Sequence, residues 1–391
     1  MTLSLHAGPN THQAHVSVTA VNCRGSQSTT APMPLTKCPP PSRVEDGLPA
    51  SRHRCDDKAP AASVPTASKS KQPTSSTIIP EAARDTLDSI PIGRVDSYKI
   101  FNKIGAGAFG NVWNARHLHT GKMVAIKSIR ASRMAILREA ALLIACAGNP
   151  AVVELQEVVR AVDMDKLYLV MEYGGASLDS IISARYHAGR PFTEDEMRRV
   201  MRRLLHGVKI MHEHGIVHCD LKPANVVVNK EDPRGRILKI CDLGLARSVT
   251  LPPPDTSGPV PGTLWYMAPE QLMGDTDCNA AVDMWSLGCI MAELVTGKPI
   301  FQGSNVFKQL HEIVHFLGIP DEVSLMQLGV SASTPSHLRD AVLEERLSAA
   351  GFDVLRGLLE FNLSDRLTSA AALQMPWLTL KDADAPSPAR A

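Results

Sequence analysis

The sequence predicts an α+β protein with two lobes, a small β-rich lobe followed by a larger α-helical lobe. Two observations lead to this prediction. Short runs rich in β-branched and apolar residues recur from Tyr98 to about residue 173, a pattern typical of strands. From Phe192 onward, apolar residues instead recur at helical spacing over longer stretches. With 391 residues and 44% hydrophobic content, the chain can build a sizeable core.

Both ends of the chain differ from this globular part. Residues 1–95 are rich in Ser, Thr, Pro and Ala and show no periodicity, so we expect a disordered N-terminal extension. An organelle transit peptide is an alternative for its first part, because no Asp or Glu precedes Glu45, although Arg is scarce there. Residues 379–391 are expected to form a flexible tail.

The globular part divides near residue 173. We expect residues 98–173 to form the small lobe and residues 174–378 the large lobe. In the large lobe, Thr193 and Glu196 have the spacing of a capping box at the start of a helix. The first three strands are predicted at 98–107, 111–118 and 122–129. The helix that follows them has apolar residues at Ile136, Leu137, Ala140, Leu143 and Ile144.

Charge and cysteine content argue against several classes of protein. Lys plus Arg number 41 and Asp plus Glu 40, a balance that gives no reason to expect binding to nucleic acid or to a membrane surface. No apolar run reaches the roughly 18–20 residues of a membrane helix, and no signal-peptide pattern occurs. The eight cysteines form no C-x-x-C pair, which argues against a zinc site. Their scattered positions fit thiols in a reducing compartment, so we expect the cytoplasm, the nucleus or both.

A glycine-rich run with the pattern G-x-G-x-x-G-x-V follows the first predicted strand. The pattern alone is weak, because dinucleotide-binding folds and plain Gly-rich hairpins also contain it. Here the run lies between two strands rather than between a strand and a helix, which favours a flap whose backbone N–H groups cover phosphates. The residues predicted to contact a nucleotide are Ile104, Gly105, Ala106, Gly107, Ala108, Phe109, Gly110, Asn111 and Val112.

Lys127 ends an apolar Val-Ala-Ile-Lys sequence on the third predicted strand. A lysine in such a strand is costly unless it is paired. We therefore expect it to contact the α- and β-phosphates of a nucleotide and a glutamate on the next helix. Glu139 is the candidate partner, and the alternative is that Glu139 is a solvated helix charge.

The segment from His218 to Asn225 carries a more specific signal. Asp220 and Asn225 are five positions apart in a predicted loop, where Asp220 can accept a hydrogen bond from a substrate hydroxyl and Asn225 can bind a metal ion. Asp242 follows 17 residues later in an Asp-Leu-Gly sequence, after a predicted strand, and can bridge the metal and the phosphates. Mg²⁺ suits such a set of oxygen ligands.

More motifs follow in order along the helical part. Ala-Pro-Glu occupies residues 268–270, Asp283 and Trp285 lie in a helical apolar run, and Arg366 comes near the end. We expect Glu270 and Arg366 to form a structural ion pair. The ordered succession of these motifs argues against chance agreement.

From residue 98 to residue 378 the chain resembles eukaryotic protein kinases. Lys222 is similar to the lysine that contacts the γ-phosphate in serine/threonine kinases, and LYLVMEY, DLGLAR, VDMWSLGCIMAEL and GKPIFQGSN are most similar to cyclin-dependent kinases. The resemblance implies the two-lobed protein-kinase fold and transfer of the ATP γ-phosphate, with Mg²⁺, to hydroxyl groups of protein substrates. It implies catalytic roles for Lys127, Glu139, Asp220 and Lys222, and metal binding by Asn225 and Asp242.

The resemblance also implies an adenine pocket. Met171 would stand at its back, and Glu172 and Gly174 would offer backbone groups to the base. The side chains expected to enclose the ring are Ile104, Val112, Ala125 and Val227, which would suit ordinary core packing as well.

Several positions depart from the family pattern. Cys219 replaces the arginine of His-Arg-Asp, and Ala108-Phe109 replaces an inhibitory Thr-Tyr pair. Pro261-Gly262 replaces a Val-Val pair, and Met267 replaces the arginine of Trp-Tyr-Arg-Ala-Pro-Glu. These changes predict little control by phosphate on the activation loop, the segment between Asp242 and Glu270. They also predict a relaxed requirement for proline in substrates.

The helix region is also shorter than in the family. Only 12 positions separate Lys127 from Glu139, and the cyclin-contact sequence of the helix is absent, which makes a cyclin partner doubtful. A pseudokinase scaffold is the alternative function, because a misplaced Glu139 would leave Lys127 unpaired. A P-loop small-molecule kinase is disfavoured, because no G-x-x-x-x-G-K-[ST] sequence occurs.

Overall fold

A computed structural model describes residues 90–107, 110–129, 132–161, 166–229, 238–251, 262–318, 336–342 and 345–380. These residues belong to a compact unit that spans Pro73–Ala391. Most of the predicted N-terminal extension and the tail from residue 381 lie outside the described residues. Within them, strand β1 occupies Ile92–Arg94, inside the range predicted as the extension, and a short helix extends to Thr379, one residue into the predicted tail.

The small lobe contains a six-stranded sheet. Its strands are β1 (Ile92–Arg94), β2 (Tyr98–Gly107), β3 (Gly110–His117), β4 (Met123–Ile129), β5 (Leu155–Arg160) and β6 (Leu167–Glu172). They lie in the order β1-β5-β6-β4-β3-β2, and every pair is antiparallel except β1 with β5. The three strands predicted from the sequence are confirmed as β2, β3 and β4. One face packs around Tyr98, Ala115, Val124, Ile126, Val159 and Val170.

Helix α1 (Arg133–Ala145) packs against the other face of the sheet, on β5 and β6. The hydroxyl of Ser132 accepts a hydrogen bond from the amide of Ala135 and so caps the first turn. Four of the five predicted apolar positions are buried, whereas Ile144 is 42% exposed.

The large lobe is mainly helical. Its helices are α2 (Leu178–His187), α3 (Glu194–Glu213), α4 (Pro269–Leu272), α5 (Ala280–Thr296), α6 (Val306–Leu317), α7 (Leu338–Ala341), α8 (Ala349–Leu358), α9 (Ser369–Leu373) and α10 (Pro376–Thr379). The predicted capping box of Thr193 and Glu196 is present at the start of α3. The predicted ion pair is present too, with Arg366 donating to both carboxylate oxygens of Glu270 at 2.7 and 2.9 Å.

Short strands of the large lobe place two loops side by side. β9 (Val226–Val228) pairs with β7 (Ala176–Ser177) and β10 (Leu238–Ile240), and β8 (Ile216–Val217) pairs with β11 (Arg247–Ser248). The loop from β8 towards β9 carries residues 218–225, and the loop from β10 to β11 carries residues 241–246. A backbone hydrogen bond of 2.9 Å from Cys241 to Asn225 joins them, so the two chemical motifs of the sequence meet.

Candidate active site

A buried lysine connects the two lobes. The ammonium of Lys127 is 2.7 Å from Oε1 of Glu139 and 2.7 Å from Oδ1 of Asp242. Lys127 lies on β4, Glu139 on α1 and Asp242 in the loop after β10, so one cation contacts carboxylates from both lobes. The ion pair that the sequence predicts between Lys127 and Glu139 is therefore present.

The positions of these two residues follow from local structure. Ala125 and Lys127 share a face of β4, because side chains alternate along a strand. Helix α1 begins soon after β4 ends, at the Ser132 cap, and Glu139 lies in its second turn. The interval of 12 residues is thus long enough to bring the carboxylate to the lysine.

Burial and charge pairing act in opposite directions on these groups. Burial alone would lower the pKa of Lys127, but the carboxylates of Glu139 and Asp242 outweigh it and raise that pKa. Burial raises the pKa of Glu139, and Lys127 offsets this only in part. Burial also acts to raise the pKa of Asp242, but the Lys127 ammonium prevails and lowers it. Asp242 is therefore ionised at neutral pH, as a metal ligand must be.

The carboxylate of Asp220 lies at the centre of a second cluster. Its Oδ1 accepts hydrogen bonds from the amide and the hydroxyl of Thr263, at 3.0 and 2.9 Å. Its Oδ2 is 2.7 Å from the ammonium of Lys222, which also donates to the Thr263 hydroxyl at 2.6 Å. This network fixes the carboxylate in orientation beside a cation, an arrangement suited to positioning a hydroxyl and stabilising phosphoryl charge.

The backbone before Asp220 is held by Asp283, at the start of helix α5. The Asp283 carboxylate accepts hydrogen bonds from the amides of His218 and Cys219 at 2.8 and 3.0 Å, and contacts Nε2 of His212 at 2.9 Å. Asp283 is fully buried, so these donors replace the water that a carboxylate would otherwise need. The sequence identified Asp283 as part of a motif but gave no sign that it anchors this loop.

Asn225 and Asp242 provide a donor set that fits Mg²⁺. The amide nitrogen of Asn225 donates to the backbone oxygen of Asp220 at 2.9 Å, which directs its carbonyl oxygen away from that contact. Oδ1 of Asp242 binds Lys127, and these contacts leave its second oxygen unused. No group of three or more His, Cys, Asp or Glu side chains within the described ranges could hold a metal. One carboxylate and one amide suit an ion that completes its coordination with phosphate and water.

The predicted adenine pocket lies between β4, β6 and β9. Ala125 and Met171 are buried, and their strands are directly paired. Gly174 lies so close to Val227 that an added Cβ would be 2.1 Å from its Cγ2, so glycine permits this approach. The amide of Glu172 donates to the carbonyl of Glu154 at 3.0 Å. The contacts predicted from the backbone of Glu172 and Gly174 to adenine stay a prediction.

The described residues of the glycine-rich run lie at the end of β2 and the start of β3. Gly110 has a φ of 149°, and an added Cβ would lie 1.7 Å from the carbonyl oxygen of Ser128, so this position excludes a side chain. Asn111 and Val112 face opposite sides of β3, so the side chain of only one of them can line a nucleotide. The predicted contacts of Ala108 and Phe109 lie outside the described residues. Of the other predicted ring-enclosing residues, Ile104 is 46% exposed.

Comparison with known proteins decides the family. The model of the protein kinase domain matches residues 98–378. The chain belongs to the protein kinase family. It is 43% identical over 311 residues to the putative cyclin-dependent kinase F-2 of Oryza sativa subsp. japonica, a match that covers 75% of this chain and 92% of the relative.

Other relatives are also named as cyclin-dependent kinases. Cyclin-dependent kinase B2-1 of Arabidopsis thaliana is 37% identical, with 74% of this chain and 95% of the relative covered. Cyclin-dependent kinase G-2 of Oryza sativa subsp. indica is 37% identical, but the match spans only 41% of that longer protein. This protein is accordingly a cyclin-dependent-kinase-like member of the eukaryotic protein kinases.

Two further residues of this kinase were missed by sequence reasoning. The sequence did not single out Thr263, although its hydroxyl joins Asp220 and Lys222. Arg138, next to Glu139 on α1, is buried and donates to the carbonyl of Ala246. Burial lowers its pKa to about 10. An arginine within a mostly apolar helix was the available signal, because a buried arginine needs a buried acceptor.

The thiols are not all free, contrary to the interpretation from the sequence. Cys219 and Cys278 form a disulfide, with Cα atoms 6.4 Å apart. Cys146, Cys241 and Cys289 are free within the described part of the chain. The sequence offered no signal for this pair, because the two residues are 59 positions apart and form no spacing motif.

Proposed function

We propose that this protein is a serine/threonine kinase that transfers the γ-phosphate of ATP to hydroxyl groups of protein substrates. The observation that carries the proposal is the cluster of Asp220, Lys222 and Thr263, in which one lysine contacts both a carboxylate and a hydroxyl. A lysine two positions after the catalytic aspartate resembles the serine/threonine kinases and supports that class over tyrosine kinases.

The chain's own residues have distinct roles in this proposal. Asp220 accepts the hydrogen bond of the substrate hydroxyl and aims its oxygen for attack. Lys222, 2.7 Å from Asp220, stabilises the charge of the phosphoryl group in transfer. Lys127 holds the remaining phosphates, with its ammonium fixed by Glu139. ATP supplies the transferred group. Asn225 and Asp242 would hold Mg²⁺, which would neutralise phosphate charge.

A phosphorylation assay with the full chain tests this proposal. The purified protein is incubated with radiolabelled ATP, Mg²⁺ and an array of peptides that carry serine, threonine or tyrosine. We expect label on serine and threonine peptides, and none with Asp220→Asn. Label on tyrosine peptides alone would contradict the serine/threonine assignment.

The assay also addresses the alternative of a pseudokinase scaffold. ATP that stabilises the protein against heat, together with no transfer to any peptide, would favour the scaffold. The ion pair of Lys127 and Glu139 supports catalysis, because its loss was the physical reason for considering a scaffold.

Protein substrates are proposed as the main partners, and the relatives' names raise the question of a cyclin. Helix α1 is already held from within the chain, by Lys127 through Glu139 and by the carbonyl of Ala246 through Arg138. We propose that cyclin is not required to place this helix. No described helix is long and apolar enough to cross a membrane. Location in the cytoplasm or nucleus stays a prediction, which imaging of a tagged full chain can test.

A further inference from the structure

A disulfide joins the loop of residues 218–225, here called the catalytic loop, to the segment just before helix α5. Cys219 directly precedes Asp220, and Cys278 directly precedes Asn279, the residue that caps α5. Both cysteines are half-buried. The bond therefore links the residue next to the catalytic carboxylate with a distant segment of the large lobe.

The same part of the lobe holds the loop at a second point. Asp283, in the first turn of α5, binds the amides of His218 and Cys219. Cys219 has a φ of 63°, a left-handed conformation that costs free energy for a residue with a side chain and persists only under constraint. The disulfide and the Asp283 carboxylate together constrain the backbone that presents Asp220.

The segment before Cys278 also contacts the activation segment. Arg247, on β11, donates a hydrogen bond of 2.9 Å to the carbonyl of Thr276. The cross-link thus connects the catalytic loop with a segment that itself binds β11. The family pattern has an arginine at the position of Cys219, so in this chain a disulfide replaces the positive charge of that pattern.

We propose that the Cys219–Cys278 disulfide is an oxidative modification that positions the catalytic loop and makes phosphoryl transfer sensitive to thiol reductants. This proposal rests on the proposed kinase function. The oxidised protein is the active form, because its bonded loop presents Asp220 to Lys222 and Thr263. In the reduced protein Cys219 keeps the Asp283 contacts but loses the covalent bond, and Asp220 is less well fixed.

The chemistry needs a peroxide to form the bond and a dithiol to break it. One cysteine thiolate attacks hydrogen peroxide, giving a sulfenic acid and, with a proton, one molecule of water. The second thiol displaces the oxygen as another water, so that two thiols and one peroxide give one disulfide and two waters. Reduction by dithiothreitol returns both electrons and both protons through thiol–disulfide exchange.

Exposure favours this pair over Cys146 and Cys289. Cys219 and Cys278 are half-buried, and Met273–Asp277, just before Cys278, are exposed. Cys146 and Cys289 are buried, and burial raises the pKa of the Cys146 thiol to about 12. Those thiols stay protonated at neutral pH and react slowly.

The first test maps the bond without relying on activity. The full chain, treated with hydrogen peroxide and then alkylated, is digested without reductant and analysed by mass spectrometry. We expect a peptide pair linked through Cys219 and Cys278 that disappears after dithiothreitol. Both cysteines alkylated in the peroxide-treated protein, or linked to other cysteines, would overturn the proposal.

The second test measures kinetics in both redox states. We expect reduction to lower kcat about tenfold, equivalent to about 1.4 kcal/mol, with the KM for ATP almost unchanged. The KM is spared because Lys127 and Glu139 do not touch the disulfide. Cys278→Ser should match the reduced protein and lose its response, whereas Cys146→Ala, a free cysteine away from the site, should keep the response. Circular dichroism checks that each variant is folded.

The outcomes separate this proposal from the proposed function. A kcat that is equal in both redox states, or a Cys278→Ser variant that still responds to dithiothreitol, would overturn the positioning role while the kinase assignment stands. Replacing Cys23, Cys38 and Cys55 together by serine should leave the response of kcat to dithiothreitol intact. Loss of this response in the triple variant would show that thiols other than Cys219 and Cys278 cause it. No transfer in either redox state would overturn the kinase function and this proposal with it.

Discussion

The ammonium of Lys222 lies 2.6 Å from the hydroxyl of Thr263, and both groups contact the carboxylate of Asp220. Thr263 lies in the last part of the activation loop, whereas Asp220 and Lys222 lie in the catalytic loop. The contact therefore couples the position of the catalytic carboxylate to the segment expected to face the substrate.

The first prediction concerns Asp220. Asp220→Asn keeps the size of the side chain and can keep its hydrogen bond to Thr263, but it removes the charge that orients a substrate hydroxyl. We expect kcat to fall by about 10²–10⁴-fold, the range for loss of a catalytic acid or base. Radiolabel transfer to a peptide measures it, and unchanged thermal unfolding shows that the fold is retained. Activity well above contaminant level would refute the assignment.

Lys127→Met is the companion variant in the small lobe. It should remove transfer too, because it deletes the cation between Glu139 and Asp242. Burial already raises the pKa of Glu139, so this carboxyl can take up a proton once its partner is gone. We therefore expect a folded and inactive protein.

The second prediction concerns cyclin. Because Lys127 and the carbonyl of Ala246 hold α1 inside the chain, a cyclin has little left to reposition. We expect added cyclin to change kcat/KM by less than about threefold, below the usual range for an allosteric effector. A cyclin-dependent kinase activated by the same cyclin preparation serves as the control. Activation of many-fold in this protein would contradict the prediction.

The sequence predicted those parts of the site that depend on local motifs. Lys127, Asp220, Asn225 and Asp242 are marked by short patterns whose context, strand or loop, the structure bears out. Contacts between distant segments could not be predicted, because nothing in the sequence around a residue such as Thr263 indicates which residues it contacts. The same holds for β1, whose three residues carry no strand periodicity and are paired only through β5.

The third prediction concerns a buried carboxyl group. Tyr266 donates a hydrogen bond of 2.6 Å to Glu293 on α5, and burial raises the pKa of Glu293 to about 7. The native protein then binds a proton that the unfolded chain has lost above its ordinary pKa of 4.5. The resulting stability is present at acidic pH and is lost as pH rises through about 7.

Glu293→Gln removes this titration and keeps an acceptor for Tyr266. Between about pH 5 and pH 7, we expect the free energy of unfolding of the wild type to fall relative to that of the variant by up to about 1.4 kcal/mol per pH unit. The unfolding temperature of the wild type should fall with it. Differential scanning fluorimetry over this range measures the difference. A constant difference would show that Glu293 does not titrate there.

The fourth prediction concerns the residue after the phosphorylated position. Gly262 has a φ of 153°, a backbone conformation that glycine adopts more easily than other residues. A Cβ added to Gly262 would lie 3.1 Å from the methyl group of Met267. Met267 is buried and cannot give the charged support that an arginine provides in the family pattern. We expect the peptide array to show no strict need for proline at this position. A motif limited to Ser-Pro and Thr-Pro would contradict it, and Met267→Arg should raise the share of proline.

The fifth prediction concerns control by phosphorylation of the activation loop. In the family pattern an arginine at the position of Cys219 is expected to bind a phosphothreonine, and here Cys219 is in a disulfide. The threonine position falls on Gly258, outside the described residues, with Thr256 and Ser257 as the nearest hydroxyls. A neutral residue cannot supply the bidentate, charged contact of an arginine.

Two other arginines near the activation segment are already engaged with backbone. Arg138 donates to the carbonyl of Ala246, and Arg247 to the carbonyl of Thr276. They lie close enough that Arg247 helps to lower the pKa of Arg138, which burial lowers most. A phosphate would have to share these two guanidinium groups with the contacts that hold α1 and β11 in place.

We therefore expect phosphatase treatment to leave the rate of phosphoryl transfer nearly unchanged. The double variant Thr256→Ala with Ser257→Ala should behave in the same way, and both are compared at one redox state so that the disulfide does not vary. A relative that depends on loop phosphorylation is the control for the phosphatase. A tenfold loss of rate would mean that phosphate supplies about 1.4 kcal/mol of transition-state stabilisation, and Arg138 and Arg247 would then be the groups to test.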